Sequence, residues 1–89
     1  MNSKTTEQFR RLLADLPQHV QKQARDAYRL FRANPSHPSL RFKPVTANGS
    51  IYSARIGMGY RALGVRNRDR IVWFWIGTHG EYDKLVARL

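Results

Sequence analysis

The chain has 89 residues, and its 16 Lys and Arg against six Asp and Glu give a formal net charge of +10 at pH 7. This length predicts one small domain, residues 1–89, with a single modest core. Because there is no cysteine, a disulfide framework and thiol chemistry are excluded, which suits a reducing compartment. No apolar run approaches the roughly 18 residues that span a bilayer. We therefore expect a cytoplasmic protein that makes no membrane contact.

The positive charge is the strongest global signal in the sequence. Charge of this density repels itself and weakens a fold, so it usually indicates a polyanionic partner. The basic residues are spread along the chain and are not confined to a tail, which favours contact with nucleic acid. An acidic partner protein would also explain the charge, and the two interpretations are compatible.

The N-terminal half predicts two helices after a frayed segment at residues 1–4. Thr5 or Thr6 can cap the first helix. Each helix has apolar residues at the spacing of one buried face: Phe9, Leu12, Leu13 and Leu16 in the first, and Val20, Ala24, Ala27, Tyr28 and Phe31 in the second. Two prolines within 34–38 end the second helix. The short connection between the helices predicts an antiparallel hairpin that covers one face of a sheet.

The C-terminal half predicts four strands, at 40–45, 51–56, 60–65 and 71–76, and a short helix at 81–89. Pro44 makes the first strand an edge strand. The run 71–76 is apolar throughout, as in a strand buried on both faces, with Trp73 and Trp75 on one face. The predicted fold is α+β, an N-terminal helical hairpin packed on a four-stranded, mostly antiparallel sheet with a short C-terminal helix.

Two arginines stand on neighbouring predicted strands. A lone basic residue in a strand is usually solvated, and Arg55 by itself has that interpretation. Arg61 changes this interpretation, because consecutive antiparallel strands can bring the side chains of Arg55 and Arg61 onto one face. Like charges placed opposite each other repel unless an anion lies between them. We therefore predict that Arg55 and Arg61 contact a phosphate, with Lys43 as a further candidate.

His79 and Tyr82 follow the last predicted strand. Histidine exchanges protons near neutral pH, and cleavage of a phosphodiester by a ribose hydroxyl needs such a group. An ordinary surface or capping histidine is the alternative. The three-residue separation places both side chains on one face if the segment is helical. Tyr82 can also pack the last helix, and Trp73 and Trp75 can form core or, if exposed, stack on bases.

The sequence predicts neither a metal ion nor a small-molecule cofactor. The three histidines are scattered, and carboxylates are few. The segment Gly57–Gly59 follows a strand but opens no helix, so it is not a phosphate-binding loop.

The order of the elements, together with three sequence segments, resembles the RelE/ParE superfamily of toxins from bacterial type II toxin–antitoxin modules. The segments are Tyr52–Ile56, Gly59–Ala62 and Trp75–Tyr82, and the likeness runs from about Phe9 onward. The resemblance implies a compact toxin. Most relatives enter the ribosomal A site and cut mRNA there, whereas others poison DNA gyrase without cutting RNA.

The resemblance also implies roles for individual residues. Arg61 matches the strand arginine that holds phosphate in the RNA-cutting members, and Arg55 matches a basic residue on the preceding strand. His79 falls near the C-terminal catalytic group, and Tyr82 matches a C-terminal tyrosine. Ser53 stands where some RNA-cutting members carry a second lysine.

We therefore expect a toxin that is a ribosome-dependent, metal-independent mRNA endoribonuclease and inhibits translation. The alternatives are a ParE-like DNA gyrase poison and a non-catalytic basic nucleic-acid-binding domain. The expected partners are the ribosome, mRNA and a cognate acidic antitoxin that folds as it binds. The antitoxin can add a strand to the edge near Leu40–Val45 or lie across the two helices.

Overall fold

The computed structural model describes residues 1–89 and forms a five-stranded sheet with three α-helices. The elements are β1 (Asn2–Thr5), α1 (Glu7–Ala14), α2 (Gln18–Ala33), a 3₁₀ turn (Pro38–Leu40), β2 (Lys43–Pro44), β3 (Ile51–Ile56), β4 (Tyr60–Asn67), β5 (Arg70–Thr78) and α3 (His79–Val86). The strand order is β1-β5-β4-β3-β2, antiparallel except for the parallel pair β1 and β5. The predicted α+β class is confirmed. None of the helices combines the length and apolar character needed to cross a bilayer.

The helical hairpin forms as predicted and shares one core with the sheet. Thr6 caps α1 by accepting a hydrogen bond from the backbone N–H of Phe9 at 3.1 Å. The apolar faces of α1 and α2 meet the same face of the sheet, where Phe9, Ala24 and Phe31 join Ala54 and Ile76 in one buried cluster. We call this side of the sheet the hairpin face.

The N-terminal segment is ordered, so the prediction of a frayed end is wrong, as is the strand count of four. β1 pairs in parallel with β5, with Ser3 opposite Ile71. Trp73 Nε1 donates to Ser3 Oγ at 3.1 Å, and Tyr28 Oη donates to the Ser3 carbonyl at 3.3 Å. An edge strand of this kind is held by backbone hydrogen bonds to its partner and needs little apolar pattern of its own. The polar residues 2–5 therefore did not predict a strand.

The predicted first strand at Leu40–Val45 is wrong in extent. Leu40 ends the 3₁₀ turn and is 2% exposed, so it anchors this segment in the core. Arg41 has φ of 45°, a left-handed conformation that interrupts an extended chain. Only Lys43 and Pro44 pair with β3. The edge position predicted from Pro44 is confirmed.

β5 lies between β1 and β4 and contains a bulge that changes which side chains share a face. Trp73 is opposite Gly64, but Trp75 is opposite Leu63, so Phe74 has no partner in β4. An extra residue of this kind shifts the alternation of side chains by one. Trp73 therefore joins the hairpin-face core, whereas Trp75 lies against α3. The prediction that the two tryptophans share a face is wrong.

The side of the sheet opposite α1 and α2 is covered only in part, by α3, and we call it the open face. α3 begins at His79, two residues before the predicted start at Glu81. A capping box causes this: Thr78 Oγ1 accepts from the Glu81 backbone N–H, and the Glu81 carboxylate accepts from the Thr78 backbone N–H. Tyr82 is the buried residue of α3.

Candidate active site on the open face

Arg55 and Arg61 lie directly opposite each other on β3 and β4. Both Cβ atoms point to the open face, since Ala54 and Ala62 of the same strands belong to the hairpin-face core. The turn at 57–59 holds both guanidinium groups. Arg55 Nε donates to the Gly57 carbonyl at 3.1 Å and Arg61 Nη1 to the Met58 carbonyl at 3.5 Å.

Gly57 makes this turn possible, because its φ of 57° is readily adopted only by glycine. The Arg55 side chain also contacts Met58 Sδ and borders a groove that reaches Gln23 and Asp26 of α2. Arg61 Nη1 makes a further bond of 2.7 Å to the carbonyl of Tyr60. The turn thus orients both arginines with main-chain acceptors and leaves them without a carboxylate partner.

The electrostatics of Arg61 reflect this arrangement. Partial burial, and next the positive charge of Arg55, lower the pKa of the Arg61 guanidinium from its ordinary value, while Tyr82 and Asp83 oppose the shift. Arginine stays protonated in proteins at neutral pH. The lowered pKa therefore means that a charged Arg61 is destabilised in the free protein, and that an anion placed beside it would be favoured.

Gly77 occupies the position on β5 that faces Arg61. A Cβ atom at this position would lie 2.5 Å from Cζ2 of Trp75, far inside van der Waals contact. The absence of a side chain leaves room for the Trp75 indole ring at this position. The segment Ile76–His79 is therefore needed for packing at the edge of the site. It also leads directly to His79, the candidate catalytic residue.

His79 is the first residue of α3 and lies at the rim of the site. Its backbone N–H donates to the Gly59 carbonyl at 2.8 Å, which ties the start of α3 to the β3–β4 turn. Its ring is exposed, and Nε2 lies 3.4 Å from Asp83 Oδ1 one turn further along the helix. This contact orients the ring and leaves Nδ1 without a protein partner. Sequence reasoning missed Asp83, although its four-residue spacing from His79 was a usable signal.

Tyr82 is placed differently from His79. Its side chain is 9% exposed, and Oη donates to Ser53 Oγ at 3.2 Å in a buried hydrogen bond. Its ring centroid lies 6.1 Å from that of His79, so the predicted shared face is observed. Ser53, which the resemblance placed where some RNA-cutting members carry lysine, thus serves as the acceptor that holds Tyr82 of α3 against the sheet.

Two further basic residues lie near the pair. Lys43 on β2 pairs with Ser53 and is exposed, and as a diagonal cross-strand neighbour it lies roughly 7–8 Å from Arg55. Arg41 is close enough to Arg61 that its charge contributes to the lowered pKa. Sequence reasoning missed Arg41, because only the 3₁₀ turn and its left-handed backbone bring it toward the site.

Glu81 is the glutamate closest in sequence to the candidates, and the helix cap occupies it. Its carboxylate accepts from Thr78 through both the backbone N–H and the hydroxyl, at 3.0 and 2.9 Å. These bonds, the backbone bond first, lower the pKa of Glu81 from its ordinary value. Glu81 therefore serves α3 and not proton transfer. No three His, Asp or Glu side chains lie close enough together to form a metal-binding cluster.

The fold is shared with several toxin structures. A chain of the RelB–RelE antitoxin–toxin complex from Methanococcus jannaschii aligns with a TM-score of 0.71 and 18% identity, covering 91% of this chain and 95% of that chain. YafQ from E. coli aligns with a TM-score of 0.65 and 12% identity over 91% and 96% of the two chains. The RelBE2 toxin–antitoxin complex from Mycobacterium tuberculosis aligns at 0.59 and 25% identity over 88% and 90%.

No curated protein shows significant sequence similarity to the chain. Residues 18–84, well over half of the chain, match the family described as the ParE-like toxin domain. This range contains α2, all strands of the sheet except β1, and every candidate from Arg41 to Asp83. The chain belongs to the ParE-like toxin domain family, within the RelE/ParE superfamily of toxins.

Proposed function

We propose that this toxin is a ribosome-dependent mRNA endoribonuclease that acts in the cytoplasm and stops translation. The observation that carries the proposal is the cross-strand pair Arg55 and Arg61, which has no carboxylate partner, on a turn whose Gly59 carbonyl accepts from the backbone N–H of the exposed His79. A gyrase poison needs no proton-transfer group at this position. The combination of an anion site and an unengaged imidazole nitrogen therefore favours RNA cleavage.

In the proposed reaction the 2′-hydroxyl of one nucleotide attacks the adjacent phosphorus. The new O2′–P bond forms, the P–O5′ bond breaks, and the products are a 2′,3′-cyclic phosphate and a 5′-hydroxyl. The phosphoryl oxygens gain negative charge in the transition state. Arg61 and Arg55 stabilise that charge, since positioned donors of this kind are typically worth roughly 3–4 kcal/mol of barrier each.

The remaining residues divide between proton transfer and positioning. His79 exchanges a proton with the attacking or the leaving oxygen through the nitrogen that Asp83 does not hold. Tyr82 acts as a positioning residue, since its buried hydroxyl is bonded to Ser53 and its ring packs beside His79. Arg41 and Lys43 extend the basic surface along the path of the RNA backbone.

We also propose a cognate acidic antitoxin as the partner that silences the toxin. The M. jannaschii and M. tuberculosis relatives occur in toxin–antitoxin complexes, and the net charge of +10 suits an acidic segment. β2 offers only two paired residues and includes Pro44, so it is a poor template for an added strand. The helices offer more, because their outward sides carry exposed arginines, Arg10 and Arg25 among them, that an acidic segment can pair with. We assign the antitoxin to the hairpin side.

The test of the proposed function is a short pulse of expression without antitoxin, followed by mapping of mRNA 5′ ends. Wild type is compared with Arg61→Ala, His79→Ala and the control Arg29→Gln, which removes one charge from an arginine of α2 already paired with Asp26. We expect new cuts within translated codons in wild type and control, and none in the two site variants. Growth arrest with intact mRNA and broken chromosomes would instead identify a gyrase poison. A lack of both arrest and cuts would leave a basic binding domain.

A further inference from the structure

A second basic cluster lies at the opposite end of the sheet from Arg55 and Arg61. The end of the β4–β5 hairpin carries Arg66 on β4, Arg68 in the turn and Arg70 on β5, and we call residues 66–70 the basic hairpin tip. None of these arginines takes part in an ion pair. The single carboxylate of the tip, Asp69, lies 4.0 Å from the N-terminal ammonium of Met1, which offsets its charge.

Arg68 is in a conformation that an arginine rarely adopts. Asn67 pairs with Arg70, so Arg68 and Asp69 form a two-residue turn, and Arg68 has φ of 59°. Glycine or asparagine is the usual residue at a positive φ in such a turn. An arginine there costs stability, and residues held in unfavourable backbone regions concentrate at functional sites. The cost is explained if a partner needs the guanidinium at the apex.

Arg66 is oriented in advance for a ligand. Its guanidinium carbon lies 5.0 Å from the ring centroid of Tyr52 and 5.8 Å from that of Phe42, a stacked arrangement that rings and arginine favour. Its Nε donates to the Arg68 carbonyl at 3.0 Å. Both terminal nitrogens remain without a protein acceptor, so they are available to an anion outside the protein.

The shape and chemistry of the tip suit a phosphodiester backbone. A shallow groove is lined by Asn2, Asn67, Arg68, Asp69 and Arg70, and no apolar residue lines it. Guanidinium and amide groups recognise phosphate oxygens through directed hydrogen bonds. A protein segment that folds on binding would need apolar surface to bury, which this groove does not offer.

The two basic clusters are too far apart to hold the same phosphate. Arg68 lies seven residues beyond Arg61, so roughly 23 Å of extended strand separate them. That distance exceeds the Debye length of about 8 Å at physiological salt. Each cluster therefore acts on its own segment of nucleic acid.

We infer that the basic hairpin tip binds the backbone of structured ribosomal RNA while Arg55 and Arg61 engage the mRNA. The choice of ribosomal RNA as the ligand rests on the proposed function. Binding of the basic hairpin tip to a double-stranded RNA backbone does not depend on that function.

Arg68→Gly makes a sharp test, because it removes the charge and relieves the backbone strain. Binding to mRNA-free ribosomes and to a double-stranded RNA is measured over a range of salt concentrations for wild type, Arg68→Gly, Arg70→Gln, the double variant and the control Arg29→Gln. We expect the double variant to bind both targets about tenfold more weakly or worse, and each substitution to lower the salt slope by about one. The Tm of Arg68→Gly should be equal to or above that of wild type.

The outcomes separate the two proposals. Double-variant binding that matches the control on both targets overturns the inference, whether or not wild type cuts mRNA. Binding to poly-glutamate is measured alongside. The inference also fails if the double variant weakens only that binding, since this would assign the tip to an acidic protein. If wild type binds the RNA duplex but not the ribosome, the proposed function fails. The measurements on the RNA duplex would then still show whether the basic hairpin tip binds an RNA backbone.

Discussion

The same strands form both faces of the sheet, but one face is buried in the core and the other carries the candidate site. Ala54, Ala62 and Ile76 of β3, β4 and β5 are buried against the helical hairpin. On the other side Arg55 and Arg61 occupy the neighbouring positions on β3 and β4 and are only partly buried. At these positions β3 and β4 thus present apolar side chains to the core and basic side chains to the open face, as the alternation of a strand dictates.

Because the two faces differ in this way, stability and activity should be separable in this molecule. The hairpin face excludes water and contributes the burial on which the fold depends. The open face accepts a pair of like charges that opposes folding. Substitutions on the two faces should therefore lower different measured quantities.

The largest effect is expected on the hairpin face. Phe31 is 2% exposed and packs edge-on against Phe42 and Trp73, with ring centroids 5.0 and 5.4 Å away. Phe31→Ala should lower the free energy of unfolding by about 3–5 kcal/mol, through lost burial and the cavity left behind. Urea denaturation measures this loss. A change below about 1 kcal/mol would show that the hairpin is not the main source of stability.

The next effect concerns activity on the open face. Arg61→Gln should reduce ribosome-dependent mRNA cleavage about 10²–10³-fold, because one charge-stabilising donor is lost. Its free energy of unfolding should stay within about 0.5 kcal/mol of wild type, since the substitution also removes repulsion with Arg55. Single-turnover cleavage and urea denaturation test the two parts. A large loss of stability would mean that the faces are not independent.

A smaller effect tests the contact that joins α3 to the sheet. Tyr82→Phe and Ser53→Ala each remove the same buried hydrogen bond, so each should cost about 0.5–1.5 kcal/mol of stability. Their effects should not add in the double variant. Both should lower kcat equally and leave KM unchanged if Tyr82 only positions the site. A much lower kcat for Tyr82→Phe than for Ser53→Ala would show that the hydroxyl acts on RNA.

The smallest effect comes from the cap of α3. The pKa of Glu81 is lowered in the folded state, so its ionised form stabilises the protein above the unfolded pKa, and this stability is lost as pH falls through the folded value. Glu81→Gln should therefore be slightly less stable than wild type near neutral pH, by about 0.5 kcal/mol or less. The difference should shrink steadily as the pH falls from neutral into the acid range, which thermal denaturation across pH can follow. A difference that did not depend on pH would contradict this origin.

Much of the candidate site was accessible to sequence reasoning because it depends on neighbouring strands. Arg55 and Arg61 flank one short turn, so their opposition follows from hairpin geometry alone. His79 and Tyr82 are three residues apart, and one helical turn brings them together. Arg41 could not be predicted as a site residue from the sequence, since its own left-handed backbone after the 3₁₀ turn directs it toward the site.

The elements whose signals are local could be predicted from the sequence. These are the two amphipathic helices, the β3–β4–β5 meander and the presence of a terminal helix, whose cap at Thr78 was not predicted. The remaining features depend on contacts that form only in the folded chain. β1 forms because β5 offers its edge to a polar segment nearly 70 residues away, where Trp73 Nε1 meets Ser3 Oγ. The bulge at Phe74 separates Trp73 from Trp75 because two packing surfaces, the hairpin and α3, each need one indole. Such choices depend on contacts between distant segments, which a local pattern does not encode.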